Sequence, residues 1–126
     1  GGLPCTGEEQ VEVIEKVGSK NMKATIDVGN YMQGGQEGRD GTAAAAKQCA
    51  YVHFKDMKKT GETGRYGWGL EACTVGQGDV DHPACLRILD SAGYSGFVAL
   101  EYEGPDDERR GVRESLAYMN RVMGGR

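Results

Sequence analysis

The chain has 126 residues, 38% hydrophobic and 27% charged, enough to bury one modest core and too few for two domains. Fifteen Lys and Arg against nineteen Asp and Glu give a net charge of -4, with no basic run of the kind that tracks a nucleic-acid backbone. No apolar stretch approaches the ~18 residues of a membrane span, and the start GGLPCTGEEQ lacks the basic-then-apolar order of a signal peptide.

Twenty-one glycines against three prolines suit tight turns between regular elements, and no Gly/Ser or Pro tract is long enough to be a linker. Cys5, Cys49, Cys73 and Cys85 form no C-x-x-C pair and have no histidine pairing of zinc-finger type, which argues against structural zinc. Cys49 and Cys85 fall in apolar stretches read as helical, where a cysteine packs as a small hydrophobe. Free thiols and a reducing, cytoplasmic setting are therefore expected.

Thr6 followed by Glu9 has capping-box spacing, and Val11, Ile14 and Val17 recur on one face up to Gly18, which predicts a helix of about three turns. MKATIDVGN, apolar and closed by Gly29 and Asn30, predicts a buried strand over 22–28. The glycine-rich QGGQEGRDG leads into TAAAAKQCA, whose alanines favour a helix, and YVHFKDM then reads as a second strand. Residues 57–80 have no clear period and read as a long loop, either a lid or an ordinary surface excursion; Arg65, Tyr66 and Trp68 are available there to close over a ligand or pack on another subunit.

GQGDVD leads to Asp81, a helix cap with Pro83 in the first turn, Leu86 and Leu89 on the apolar face and Gly93 as the stop. His82 is expected on the solvent side of that helix start and is not taken as a ligand. SGFVALEYEG predicts a third strand. Asp106, Asp107 and Glu108 then open a helix in which Val112, Leu116, Met119 and Met123 fall at i, i+4, i+7 and i+11, ending at Gly124. Strands alternating with helices predict a parallel sheet covered by helices, an α/β architecture.

Side chains alternate along a strand, so each predicted strand has two faces. Ile26 and Val28 oppose Thr25 and Asp27; Val52 and Phe54 oppose Tyr51, His53 and Lys55; Val98 and Leu100 oppose Ala99, Glu101 and Glu103. Each strand thus pairs an apolar face with one that ends on a group able to bind a metal or move a proton. An α/β sheet buries both faces, and a buried Asp, His or Glu is costly unless paired or coordinated. A common centre explains three such residues more economically than three separate arrangements, and strand C-terminal ends are where these sheets place their sites. Asp27, His53 and Glu101 are the candidate metal ligands, for Mn, Mg, Co, Zn or Fe. Taken singly, each has a plain structural role: His53 satisfied by a backbone carbonyl, Asp27 capping a turn, Glu101 at a solvated strand end. Lys55 can bind a substrate oxygen or phosphate, and Asp56 can orient Lys55 or a loop backbone; a surface ion pair accounts for either equally well.

ATIDVGN, AYVHFKD, GQGDVD and GYSGFVALEYEG, in that order, resemble the C-terminal half of the sugar phosphate isomerase/epimerase family, the xylose isomerase-like (β/α)8 TIM barrels. Its members include hydroxypyruvate isomerase, ketose 3-epimerases, inosose dehydratase and metal-dependent abasic-site endonucleases. The resemblance covers nearly the whole chain. It implies that residues 1–126 are a partial barrel, about strands 6–8 with helices 5–8, and that Asp27, His53 and Glu101 are three of four ligands to a divalent metal. The fourth, a glutamate ending the fifth strand, would lie just before GGLPCTG. A complete barrel needs ~250 residues, so the chain is expected to be a fragment that is inactive alone. Its unpaired strand edges favour self-association, hence a homo-oligomer. Any targeting segment would lie upstream.

The activity implied is isomerisation or epimerisation of a keto sugar, sugar phosphate or hydroxy-ketone, by proton transfer through an enediolate. Glu101 is both ligand and acid/base in that scheme, and Lys55, Arg65 and Trp68 are candidate substrate contacts. The expected partner is a small sugar, not a nucleic acid or a membrane. An abasic-site endonuclease would need a metal cluster and a basic DNA surface, whereas His53 is the one histidine on a predicted strand and the charge is acidic. A non-catalytic barrel-half assembly module is the other alternative. An oxidoreductase is disfavoured, because no Gly-rich phosphate fingerprint follows a strand.

Overall fold

The computed structural model describes residues 4–61 and 69–124. Helix α1 (Gly7–Val17) starts on its capping box: Thr6 Oγ1 accepts from Glu9 N at 3.2 Å, and Glu9 Oε2 accepts from Thr6 N at 3.3 Å. It stops at Gly18, whose φ of 65° suits a residue without Cβ. Ile14 is buried, but Val17 is 57% exposed, so the apolar face is narrower than the Val11–Ile14–Val17 spacing predicted. Strand β1 (Ala24–Asp27) follows and is shorter than the predicted 22–28. Then come the single turn α2 (Asn30–Gln33) and α3 (Gly38–Ala45).

The alanine run proves to be the end of a helix that begins inside the glycine-rich segment. Gly7 and Gly41 let α1 and α3 meet backbone to backbone, since a Cβ on Gly7 would strike the Gly41 carbonyl. A Cβ on Gly38 would likewise strike Val28 O. Close tertiary packing outweighs the poor helix propensity of glycine here. A 3-10 turn, Ala46–Gln48, passes the chain to β2 (Cys49–Phe54), so Cys49 lies in a strand and not in a helix.

Residues 57–80 are not a loop throughout. β3 (Asp56–Lys59) pairs antiparallel with β4 (Leu70–Cys73), in register from Asp56 opposite Cys73 to Lys59 opposite Leu70. Four-residue strands leave too short an alternation for the pattern to stand out. Arg65, Tyr66 and Trp68 lie outside the described residues.

Helix α4 (His82–Ser91) is capped as expected, Asp81 Oδ1 accepting from Ala84 N at 2.9 Å. His82, however, faces inward and is fully buried, with Nε2 3.1 Å from Lys55 O and its ring against those of Phe54 and Tyr118. The cap sets the helix phase, and His82, Cys85, Leu86 and Leu89 then fall on one buried stripe. Strand β5 (Val98–Leu100) precedes α5 (Glu108–Met123). The buried positions of α5 are Gly111, Ser115 and Met119, while Leu116 of the predicted stripe is 45% exposed. Small residues win this face because the Tyr102 ring sits over Gly111 and Ser115 Oγ accepts from Val75 N at 3.0 Å.

The three parallel strands order β1-β2-β5 in one sheet. Ile26, Val28, Val52 and Phe54, each 0% exposed, carry the apolar side of this sheet into the core with Met32, Cys85 and Leu89. The opposite side is open, with Thr25 exposed and Tyr51 38% exposed, unlike the doubly covered sheet the sequence suggested. Three strands cannot enclose it as the wall of a closed barrel would. None of the four cysteines is in a disulfide. Among the described residues no helix is long and apolar enough to cross a membrane.

Candidate metal centre

Register brings the site together. Asp27 lies beside His53 across β1 and β2, His53 lies beside Ala99 across β2 and β5, and pairing continues as Glu101 N donates to Phe54 O at 2.9 Å. One ligand atom from each of Asp27, His53 and Glu101 therefore falls within 4.8 Å of the others, at the C-terminal ends of the strands. His53 Nδ1 is 3.5 Å from Glu101 Oε2 and 3.9 Å from Asp27 Oδ2.

Asp27 is held by the turn that follows it. Its Oδ1 accepts from Gly29 N at 3.1 Å and Asn30 N at 3.0 Å, and its Oδ2 accepts from Asn30 Nδ2 at 2.7 Å. Asn30 Oδ1 in turn accepts from Gln33 Nε2 at 2.8 Å. Asn30 had been read only as the end of a strand. Its spacing of three from Asp27, an Asx-turn signature, was the available clue. Gly29 packs closely on the next strand, since a Cβ there would lie 3.0 Å from Lys55 O and 3.1 Å from Lys55 Cβ.

Burial, reinforced by a hydrogen bond with Glu101, raises the Asp27 carboxyl to about 7. Glu101 is lowered by that same hydrogen bond and, against the opposing effect of its own burial, by Lys55. Two carboxylates this close cannot both ionise cheaply, so they share a proton. A divalent cation relieves the same repulsion, and the O, N, O donor set fits one.

Lys55 is 4% exposed, and its Nζ contacts Glu103 Oε2 at 2.6 Å and Glu101 Oε2 at 3.3 Å. Burial alone would lower this ammonium, but hydrogen bonding to Glu103 and the charges of Asp27, Glu101 and Glu103 hold it above the usual lysine value. The lysine end of the ion pair is thus buried, while the Glu103 side chain is 53% exposed. Glu103, on the face that carries Glu101, reads from the sequence only as part of a solvated strand end, whereas here it holds Lys55.

Asp56 organises a loop backbone, and Lys55 is not its partner. Its carboxylate accepts from Met57 N at 2.9 Å, Gly76 N at 2.8 Å, Gly78 N at 3.0 Å and Val80 N at 3.2 Å. This ties residues 76–80 to the foot of β3, directly after the strand that carries His53.

A profile of the xylose isomerase-like TIM barrel matches residues 1–122. The structure is similar to that of a xylose isomerase domain protein from Planctomyces limnophilus, with a TM-score of 0.75 and 23% identity over 93% of this chain and 41% of that one. It is also similar to a xylose isomerase domain protein from Alicyclobacillus acidocaldarius subsp. acidocaldarius, with a TM-score of 0.67 and 26% identity over 92% of this chain and 42% of that one. No curated protein matches the chain. The chain thus spans about two fifths of these solved relatives. Three parallel strands with polar groups at their C-terminal ends, the matching profile and the matching structures agree: the chain belongs to the xylose isomerase-like TIM barrel family.

Proposed function

We propose that this chain is the C-terminal half of a metal-dependent sugar isomerase or epimerase, acting by proton transfer next to the carbonyl of a keto sugar, sugar phosphate or hydroxy-ketone. The convergence of Asp27, His53 and Glu101 within 4.8 Å carries the proposal. These three residues would hold a divalent cation, Mn, Mg, Co or Zn. When bound, it supplies Lewis-acid polarisation of two neighbouring substrate oxygens.

The chain's own residues do the rest. Glu101 takes and returns the proton, with its oxygens half exposed toward the open face and steadied by Lys55 at 3.3 Å. Asn30 fixes the Asp27 carboxylate, and Asp56 holds the loop below it. A second carboxylate, on the other side of the substrate, would come from the fifth strand of the complete barrel. The acidic net charge of -4 favours a sugar over a DNA backbone.

In the complete barrel, Glu101→Gln is expected to abolish turnover while weakening substrate binding only modestly. Retained turnover rejects Glu101 as the acid/base. On the 126-residue chain, calorimetric titration with Mn2+ is expected to show saturable binding that is lost in His53→Ala; equal binding by both rejects the metal centre.

A further inference from the structure

A cavity of about 350 Å3 opens beside the metal centre, with Asn30, Gln33, Lys55 and Glu103 in its lining, and a second of about 270 Å3 lies on the Asp27 side of Asn30. Lys55 is the sole cationic side chain among the described residues lining either one. Its ammonium is closed off, with its side chain 5% exposed and carboxylate oxygens at 2.6 and 3.3 Å. A phosphate ester brings about two negative charges and requires free donors. Here it would have to displace Glu103 from Lys55 and sit against Glu101 and Glu103.

Charge balance points the same way. Asp27, Glu101 and Glu103 already offset the charges of Lys55 and one divalent cation, so these residues leave no surplus positive charge for an anion. The remaining polar side chains are neutral apart from Asp27: the amides of Asn30 and Gln33 and the Cys5 thiol in the larger cavity, and Thr6, Gln10, Thr25 and Tyr31 in the smaller. Gln33 and Asn30 are already joined in a hydrogen-bonded row to Asp27, at 2.8 and 2.7 Å, and amides both donate to and accept from hydroxyls. We infer that Glu103 is a specificity-determining residue: by occupying Lys55, it makes this cavity select an uncharged polyhydroxy ketone over a phosphate ester. The inference rests on the isomerase function proposed above and specifies its substrate class.

The test is 15N NMR titration of the 126-residue chain with inorganic phosphate, D-fructose 6-phosphate and D-fructose, following the amides of Gln33, Gly34 and Lys55. The wild-type protein is expected to bind D-fructose in preference to the ester and to show no saturable shifts with phosphate. Glu103→Gln is expected to gain phosphate and ester binding by about tenfold or more, because a like charge is removed and a cation freed. Glu103→Asp, which keeps the charge, is expected to exclude both anions as the wild type does. Glu103 is half exposed, with its side chain 53% accessible, so both variants should retain the wild-type amide pattern. Wild-type binding of phosphate or the ester as tight as that of D-fructose overturns the inference, as does a Glu103→Gln variant that gains nothing. The anion contrast is read without metal, so failure of Mn2+ to bind would count against the isomerase proposal separately.

Discussion

Asp27 ends strand β1 of the parallel sheet and Asp56 opens β3 just beyond β2, yet the fold uses these two aspartates in opposite ways. Asp56 is 1% exposed, and four backbone N–H groups point at its carboxylate. Asp27 has its Oδ1 saturated by the following turn, but its Oδ2 faces His53 and it shares a proton with Glu101. A carboxylate filled by backbone donors is a structural anchor. One left facing other ligand atoms stores an electrostatic penalty that a cation can relieve.

The sharpest way to break this comparison is to remove the anchor. Asp56→Ala orphans four N–H groups, those of Met57 and Val80 buried, and is expected to cost roughly 3–5 kcal/mol, the range for breaking a buried charged network, read by urea unfolding. A loss below about 1 kcal/mol would show that water replaces the carboxylate. Gly78→Ala tests the same anchor from its other side. A Cβ at Gly78 would run into Asp56 Oδ1, and about 1–3 kcal/mol is expected.

Asp27→Asn should leave stability within about 1 kcal/mol, because the amide oxygen can still accept from the turn and the amide, like the protonated carboxyl, sets no second charge beside Glu101. It should nonetheless weaken Mn2+ binding severely, and a variant that binds Mn2+ like the wild type would remove Asp27 from the site. The smallest effect expected is in pH. The Asp27 carboxyl is raised from 3.8 to about 7, so the metal-free fold retains a proton that the unfolded chain has lost. The stability from that proton is present below 3.8 and fades as pH rises through about 7. A cation must displace it, so apparent Mn2+ affinity should rise with pH up to about 7 and then level off. A flat profile from about pH 5 to 8 would contradict the shared proton.

What could be read from the chain depended on the range of the interactions. The capping box of α1 and the Asp81 cap of α4 act over three residues and were legible. So was the alternation along β1 and β2 that separates apolar from ligand-bearing faces, whereas all three residues of β5 are partly exposed. The inward turn of His82 was legible in principle, since it shares a helical stripe with Cys85, Leu86 and Leu89, but a histidine at a helix start reads as polar surface. The β3–β4 hairpin was not legible, because four-residue strands leave too short a period.

The sequence by itself determined the strand-end residues Asp27, His53 and Glu101 and the capped starts of α1, α4 and α5, because strand alternation and capping are local consequences of backbone geometry. Tertiary structure alone decided what those residues face. The register that sets Asp27 beside His53, the burial that keeps Lys55 on Glu103 and the folding of residues 76–80 onto Asp56 all join positions distant in the chain. Such contacts depend on how closely separate elements pack, for which no local pattern of residues encodes a distance.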